Sequence, residues 1–214
     1  MTIDLYYAEG SGPCRLVILI AKALGVQLNL KYLHLLKKEQ LSPEFIKINP
    51  QHCVPTIVDN DFILWEGNAI ATYLIQKYGK DDSLYSKDLK KRAVIDQCLY
   101  FCNGVLYQRF ADYYYPIYMG VSEPDPEKFK KMQEAFQFLE SFLDRHQYVA
   151  GDTLSVADYA MSTVVSTYAF AKFDFASYKS VTKWYNKVKT QIVDFEELNG
   201  LETLNKLYAK FKDN

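Results

Sequence analysis

The chain has 214 residues, 49% of them apolar and 24% charged, which is typical of a globular protein with one large core or two small ones. The formal net charge is −1, with lysines and acids interspersed, so the sequence gives no indication of nucleic acid or an anionic membrane as a partner. No leader segment and no membrane-spanning run are visible in the sequence, and we therefore expect a cytoplasmic protein.

Strand and helix patterns alternate along the first 80 residues. Strands are predicted at 3–7, 28–35, 55–58 and 62–64, and helices at 13–25, 42–48 and 67–78. Residues 28–35 alternate strictly between apolar and polar, which predicts a strand with one buried face. The resulting order is β-α-β-α-β-β-α, which indicates a compact sheet with helices.

A polar segment, 79–86, then changes the composition of the chain. Beyond it every apolar pattern has the helical period. One long helix or a bent pair is predicted from 87 to about 118, and further helices over 126–145, 156–171, 178–189 and 201–212. We predict an α/β domain over 1–79, a linker over 80–87 and an all-helical domain over 88–214. Ser155 is expected to cap one helix, with Asp158 as its capping-box partner.

The segment 9–15, EGSGPCR, lies where a strand ends and a helix begins. Ser11 there fits two roles equally well, a helix cap or a hydroxyl that donates to an anion near the helix N-terminus. Cys14, in the first helical turn, is either a packing residue or a thiol with a lowered pKa.

Two further segments carry polar residues beside predicted helices and strands. In the first, NPQHCVPT (49–56), a Val-Pro step precedes a strand, and a cis bond there would expose the Val54 backbone to a ligand. In the second, WEGN (65–68), Glu66 begins a helix, either as compensation of the helix dipole or as a carboxylate for a ligand ammonium.

Together these segments resemble a cytosolic glutathione transferase of the insect delta and epsilon type over essentially the whole chain. LYYAEGSGPCR, INPQHCVPTIVDNDFILWE, KDDSLYSKDLKKRAVIDQ, RFADYYYP and AGDTLSVAD carry the resemblance. It implies a thioredoxin-like first domain, an all-helical second domain, glutathione as co-substrate without a metal, and a cytoplasmic homodimer. The implied reaction joins the glutathione thiolate to electrophilic hydrophobic xenobiotics or endogenous electrophiles, a detoxification.

The resemblance also implies roles for individual residues. Ser11 would stabilise the thiolate, Val54 and the cis Pro55 would face the cysteinyl part, His52 the glycine carboxylate, and Glu66 the γ-glutamyl ammonium. Gln51, Gly67 and Asn68 complete the expected glutathione site. The residues expected to line the acceptor pocket, or alternatively to pack in the core, are Pro13, Tyr107, Phe110, Tyr114, Ile117, Tyr118 and Phe211.

Several positions depart from the family pattern. Delta members usually have Ser and Arg where this chain has Gly67 and Asn68, an Asp where it has Cys102, and a His where it has Gln40. The loss of one hydrogen bond predicts glutathione binding weaker by about 1 to 3 kcal/mol, or roughly 5- to 150-fold.

Three functions follow from this pattern. The first is conjugation of glutathione, with peroxidase or isomerase activity as a variant that uses the same thiolate. The second is a non-catalytic protein that binds hydrophobic ligands and has weakened glutathione affinity. The third is a thiol oxidoreductase that uses Cys14, or mixed disulfides at Cys14 or Cys53.

Overall fold

The computed structural model describes the backbone of residues 2–212 and the side chains as far as Leu207. Its internal contacts divide the chain into two units, one of residues 1–82 and 192–214 and the other of residues 83–191. The boundary between residues 82 and 83 falls inside the predicted linker 80–87. The last 23 residues, which the sequence assigns to the helical domain 88–214, belong instead with the first unit, which is therefore not 1–79 alone. None of the helices in the described part of the chain is both long and apolar enough to cross a membrane.

The first unit contains a four-stranded mixed sheet. Its strands are β1 (Ile3–Tyr7), β2 (Leu28–Tyr32), β3 (Thr56–Asp59) and β4 (Phe62–Trp65), in the spatial order β2-β1-β3-β4. β1 runs parallel to β2 and antiparallel to β3, and β4 is antiparallel to β3. The sheet is the predicted one, with all four strands at their expected places in the chain.

The predicted burial of β2 is wrong. The strand ends at Tyr32 rather than at residue 35, and its alternating apolar residues Leu30 and Tyr32 are 47% and 41% exposed. β2 is an edge strand, and residues 35–41 form two short 3₁₀ turns instead of extending it. A period of two thus identified the strand, but it does not show whether a second layer covers its apolar face.

The residues that the structure describes form ten α-helices. They are α1 (Gly12–Leu24), α2 (Pro43–Ile48), α3 (Gly67–Tyr78), α4 (Leu89–Phe101), α5 (Gln108–Tyr118), α6 (Pro126–Leu143), α7 (Val156–Phe170), α8 (Lys179–Gln191), α9 (Phe195–Asn199) and α10 (Leu201–Lys212). The first three, with α9 and α10, belong to the first unit, and α4 to α8 belong to the second.

The core of the first unit lies between the sheet and helices α1 and α3. Leu5 and Ile57 of the sheet, Val17 of α1, and Ile70 and Leu74 of α3 are fully buried. Burial of such a side chain contributes about 1.5 to 3 kcal/mol, so these few residues fix how the two helices lie on the sheet.

The C-terminal residues join the first unit through polar contacts with α1. The Arg15 guanidinium, 3% exposed, donates to the side-chain oxygen of Asn199 in α9. Lys22, in the last turn of α1, donates to Asp194 at 2.8 Å and pairs with Glu197 at 3.2 Å. A buried guanidinium needs a partner, and the sequence gives no sign that this partner lies 184 residues away.

In the second unit, α4 and α5 form one continuous helical segment joined by a π-helical stretch, Cys102–Tyr107. The sequence predicted one long helix or a bent pair over 87–118. The π-helical stretch makes it a continuous helix whose register changes midway.

The centre of the second unit is α7, in which every residue from Val156 to Tyr168 is buried. Aromatic rings surround it: Tyr168 packs on Phe136 with ring centroids 4.8 Å apart, and its hydroxyl donates to the Leu106 carbonyl at 2.8 Å. The predicted capping box is confirmed, since Asp158 accepts the backbone N–H of Ser155 at 2.8 Å.

Candidate active site

Three loops meet at one edge of the first unit's sheet. Tyr6, Thr56 and Trp65 are in register across β1, β3 and β4. The residues that follow β1, precede β3 and follow β4 therefore emerge side by side. These are the segments around Ser11, 49–55 and 66–68, the three that the sequence singled out.

Ser11 occupies the N-cap position of α1 but its hydroxyl does not cap the helix. Its backbone is extended, with φ −62° and ψ 118°, and its side chain makes no hydrogen bond to the first-turn N–H groups. The side chain is half-buried and interacts with the Cys14 thiol. Of the two roles left open by the sequence, the capping role is therefore not the one seen.

Cys14 is a packing residue. It is fully buried, and burial raises the pKa of its thiol to about 11, although hydrogen bonds with the Ser11 side chain and the Ala8 backbone lower it in part. A thiol with that pKa is almost entirely protonated at neutral pH. This argues against an oxidoreductase that uses Cys14 as its nucleophile.

Asn49 organises the loop before β3, a role that sequence reasoning missed. It is fully buried, and its amide nitrogen donates to Thr56 Oγ1 at 2.9 Å and to the Cys53 carbonyl at 3.2 Å. Its oxygen accepts the Gln51 N–H at 2.9 Å. An asparagine just before a proline is a common turn residue, so its type gave no sign of these contacts.

The same loop presents the expected cis peptide. The Val54–Pro55 bond is cis, Gln51 and His52 are exposed, and His52 has a positive φ of 44°. Within the described part of the chain, neither the N–H nor the C=O of Val54 has a hydrogen-bond partner. A half-buried strand end whose N–H and C=O groups have no hydrogen-bond partner in the described residues is suited to pair with an extended peptide.

Glu66 begins α3 in a strained conformation. Its φ is 74° and its ψ 110°, a region that non-glycine residues rarely adopt, and its exposed carboxylate caps nothing. Such strain typically costs about 1 to 3 kcal/mol and clusters at functional sites. Gly67 is buried beside it and Asn68 is half-buried.

Two other departures from the family pattern fall in different places. Gln40 is half-buried in the first unit, at the end of the segment that follows β2. Cys102 lies in the second unit, 1% exposed, where burial raises its pKa to about 12.

The predicted acceptor residues of the second unit share one face of the helix. Tyr114 and Tyr118 stack at 5.6 Å, and the Tyr107 hydroxyl lies 2.7 Å from that of Tyr115. Phe110 is 1% exposed, and its ring centroid lies 4.9 Å from that of Tyr168, which agrees with the alternative that it packs in the core. Ile117 and Pro13 are half-buried, each in its own unit, and the side chain of Phe211 lies outside the described residues.

A thioredoxin-like sheet with a cis-proline loop, followed by an all-helical part, defines a class of glutathione-dependent enzymes. Residues 1–76 match the family model "Glutathione S-transferase, N-terminal domain", and residues 110–191 match "Glutathione S-transferase, C-terminal domain". The chain therefore belongs to the glutathione S-transferase family and is a transferase that conjugates glutathione.

Solved structures of insect enzymes agree with this assignment. A delta-class glutathione transferase of Nilaparvata lugens is 48% identical, with a TM-score of 0.90 over 96% of this chain and 99% of that one. A Bombyx mori glutathione transferase is 39% identical (TM-score 0.93, 98% and 97% covered), and an epsilon-class enzyme of the housefly Musca domestica is 37% identical (0.90, 99% and 97%). None of these similarities favours a non-catalytic protein over conjugation.

Proposed function

We propose that Ser11 activates glutathione by donating its hydroxyl hydrogen to the glutathione sulfur. The observation that carries this proposal is that the Ser11 hydroxyl lies at a helix N-terminus without capping it. An N-cap serine normally gives its oxygen to the helix, whereas here the Ser11 side chain hydrogen-bonds with the Cys14 thiol. The protonated thiol can donate to the Ser11 oxygen, which leaves the hydroxyl hydrogen for a ligand. The reactive sulfur then belongs to glutathione and not to the protein.

The energy that this activation needs is modest. A thiol of pKa about 8.5 is only a few per cent ionised at neutral pH. Lowering the pKa by roughly two units requires about 2.7 kcal/mol of differential stabilisation. A hydrogen bond to a charged acceptor is worth about 1.5 to 3 kcal/mol, and the N-terminus of α1 adds to it.

The neighbouring loops supply the rest of the glutathione site in this proposal. The open backbone of Val54, beside the cis Pro55, pairs with the cysteinyl residue of glutathione. The exposed Glu66 carboxylate receives the γ-glutamyl ammonium, and the Gly67 N–H faces the γ-glutamyl carboxylate. His52 faces the glycine carboxylate, and Gln51 and Asn68 line the same site.

We further propose that three tyrosines contact the electrophile: Tyr107 at the end of the π-helical stretch, and Tyr114 and Tyr118 of α5. Tyr107, Tyr114 and Tyr118 combine flat apolar surface with hydroxyl groups, which suits apolar, planar acceptors such as xenobiotics and products of lipid peroxidation. The stacked pair Tyr114 and Tyr118 supports this role, because Tyr118 is 53% exposed. Phe110 supports these tyrosines from within the core, and the roles of Ile117, Pro13 and Phe211 stay predictions.

Family membership supports a cytoplasmic homodimer as the working form of the enzyme. Apolar and aromatic side chains are exposed on β4 and on α4: Ile63 is 37% exposed and Tyr100 is 79% exposed. Exposed apolar surface of this kind also supports an interface between subunits. Sedimentation equilibrium measures the oligomeric state directly, and a monomer at micromolar concentration would contradict the proposal.

Substitution of Ser11 tests the central step. For Ser11→Ala we expect kcat/KM toward a chlorodinitrobenzene-type acceptor to fall about 10- to 150-fold, the value of one hydrogen bond to a charged acceptor. Glutathione affinity measured by calorimetry at a pH where free glutathione is protonated should change much less, because Ser11 acts on the thiolate.

Tyr7→Phe is the matched control, since it removes another hydroxyl at the same end of β1. Burial, followed by the Glu9 carboxylate, raises the pKa of Tyr7, so its phenol stays neutral at physiological pH. We expect Tyr7→Phe to keep wild-type activity. If Ser11→Ala keeps it instead and Tyr7→Phe loses it, the proposed role of Ser11 is wrong.

A further inference from the structure

Gly67 packs so closely against Pro13 that a side chain at its position would have to displace Pro13 slightly. A Cβ added to Gly67 would lie 3.0 Å from Pro13 Cβ, 3.2 Å from the Pro13 carbonyl oxygen and 3.3 Å from Pro13 Cα. At such distances the neighbouring atoms must move by a few tenths of an ångström. A side chain at position 67 would therefore push the first turn of α3 and the first turn of α1 apart by that amount.

Pro13 has little freedom to absorb such a movement. It is the second residue of α1, and its ring fixes its own φ. Two of the three atoms that the added Cβ would meet are backbone atoms, so a push on Pro13 moves the turn that begins at Ser11. Gly104 offers a contrast, since an added Cβ there meets nothing within 4 Å.

We propose that Gly67 is a positioning residue that acts through Pro13 to set where the Ser11 hydroxyl lies. This inference rests on the proposed function, in which Ser11 donates to the glutathione sulfur. Charge-assisted hydrogen bonds are short and lose strength as the donor and acceptor move apart. A shift of a few tenths of an ångström in the first turn of α1 thus weakens the stabilisation of the thiolate.

This role of Gly67 and its departure from the family pattern predict opposite effects of Gly67→Ser on glutathione binding. If Gly67 were only a lost hydroxyl, Gly67→Ser would restore a donor and tighten glutathione binding. If its bare backbone sets the position of Ser11, Gly67→Ser adds a Cβ that must displace Pro13 slightly. The serine variant then loses thiolate stabilisation, as the alanine variant does.

The test compares Gly67→Ala and Gly67→Ser with wild type, and Gly104→Ala is the control. The pKa of bound glutathione is measured from the ultraviolet absorbance of its thiolate as the pH is varied, alongside the glutathione Kd and Tm. For both Gly67 variants we expect the bound thiol pKa to rise by about one unit, a roughly tenfold fall in thiolate below that pKa. Gly104→Ala should keep the wild-type value.

Two results would overturn the proposal. One is tighter glutathione binding in Gly67→Ser with an unchanged thiol pKa, because the position then lacks only a hydroxyl. The other is a lower Tm in both variants with wild-type Kd and thiol pKa, because the contact is then merely structural.

Two further variants separate this proposal from its premise. Ser11→Ala, titrated in parallel, tests the proposed function: if it has the wild-type thiol pKa, that function and this inference both fail. If Ser11→Ala raises the pKa and the Gly67 variants do not, only this inference fails. Should Gly67→Ala not fold, Pro13→Gly tests the same link from the other side. It removes the ring that fixes the backbone of the turn that begins at Ser11, so we expect the bound thiol pKa to rise here too.

Discussion

Two carboxylates near helix N-termini, one in each unit, show how a binding site differs from a folding element. Asp158 in α7 is fully buried, and its two oxygens accept the Val149 N–H at 3.0 Å, the Trp184 indole N–H at 2.8 Å, and both the backbone N–H and the hydroxyl of Ser155. Glu66 at the start of α3 is exposed and strained, and its carboxylate makes no hydrogen bond or ion pair with the described residues.

The hydrogen-bond partners of a carboxylate therefore indicate its role better than its position in the sequence does. Both residues sit where an acid is favourable for a helix dipole, and a sequence pattern treats them alike. The protein itself satisfies Asp158 completely, so that residue stabilises the fold. Glu66 is held in an unfavourable backbone conformation with its charge unpaired by the described residues, which makes sense when a ligand supplies the partner.

The largest effect is expected from Asp158→Ala. The substitution leaves three buried N–H donors without an acceptor, and each such group costs about 1 to 3 kcal/mol, so we expect at least about 3 kcal/mol of destabilisation. Tm and the hydrogen-exchange protection of the Val149 amide and Trp184 indole measure it. Asp152→Ala, at an exposed aspartate of the same segment, should change stability by less than about 0.5 kcal/mol.

Glu66→Gln should affect binding and leave folding unchanged. In the proposed site, loss of the charge weakens the hydrogen bond to the glutathione ammonium by about 1.5 to 3 kcal/mol, so the Kd should rise roughly 10- to 150-fold. Calorimetry measures the Kd, and a thermal melt should show an unchanged Tm. Glu44→Gln, at an exposed first-turn glutamate of α2, is the control, and equal Kd values for the two variants would remove the contrast between Glu66 and Asp158.

The smallest effect is expected at Asp59, a second protein-satisfied carboxylate. Tyr73, Tyr78 and Lys77 donate to one oxygen of Asp59 at 2.8, 2.6 and 2.9 Å. Burial alone raises the pKa of Asp59, but these three donors outweigh burial and hold it below its usual value. Because the folded-state pKa is lowered, the stability that the carboxylate confers is present above about pH 4 and lost as the pH falls through that lowered value.

Asp59→Asn should therefore be less stable than wild type by about 1 kcal/mol at neutral pH, the difference between a charged and a neutral hydrogen-bond acceptor. We expect that gap to close as the pH falls below 4. Urea melts at pH 7, 4 and 3 measure it, and Asp61→Asn, in the same turn but exposed, serves as the reference. A gap that stays constant with pH would mean that the charge of Asp59 contributes nothing.

Much of this fold was predictable because local patterns and global packing agree in most elements. The sheet strands and the capping box of α7 have short-range signals, and the structure confirms both. The exposure of β2 was not predictable, since alternation reports a period and not a neighbouring layer. The contact of Arg15 with Asn199 joins residues whose separation leaves no sequence pattern.

The candidate site was predictable in its segments but not in its details. The three loops could be chosen because strand ends and helix starts carry polar residues with few local roles. Whether Ser11 caps its helix depends on the rotation of one side chain, which residue type does not determine. Asn49 was missed for a similar reason, because its hydrogen bonds form only after the loop has closed around it.

The π-helical stretch between α4 and α5 has a consequence for how this enzyme can diverge. Each residue of an α-helix advances the side chains by about 100°, so one residue inserted or removed within Cys102–Tyr107 rotates all of α5 relative to α4. Such a change turns a different set of tyrosines toward the face that we propose for the acceptor, while the buried residues of α4 keep their places. Under that proposal, single-residue insertions and deletions in this stretch change acceptor selectivity in a way that point substitutions do not.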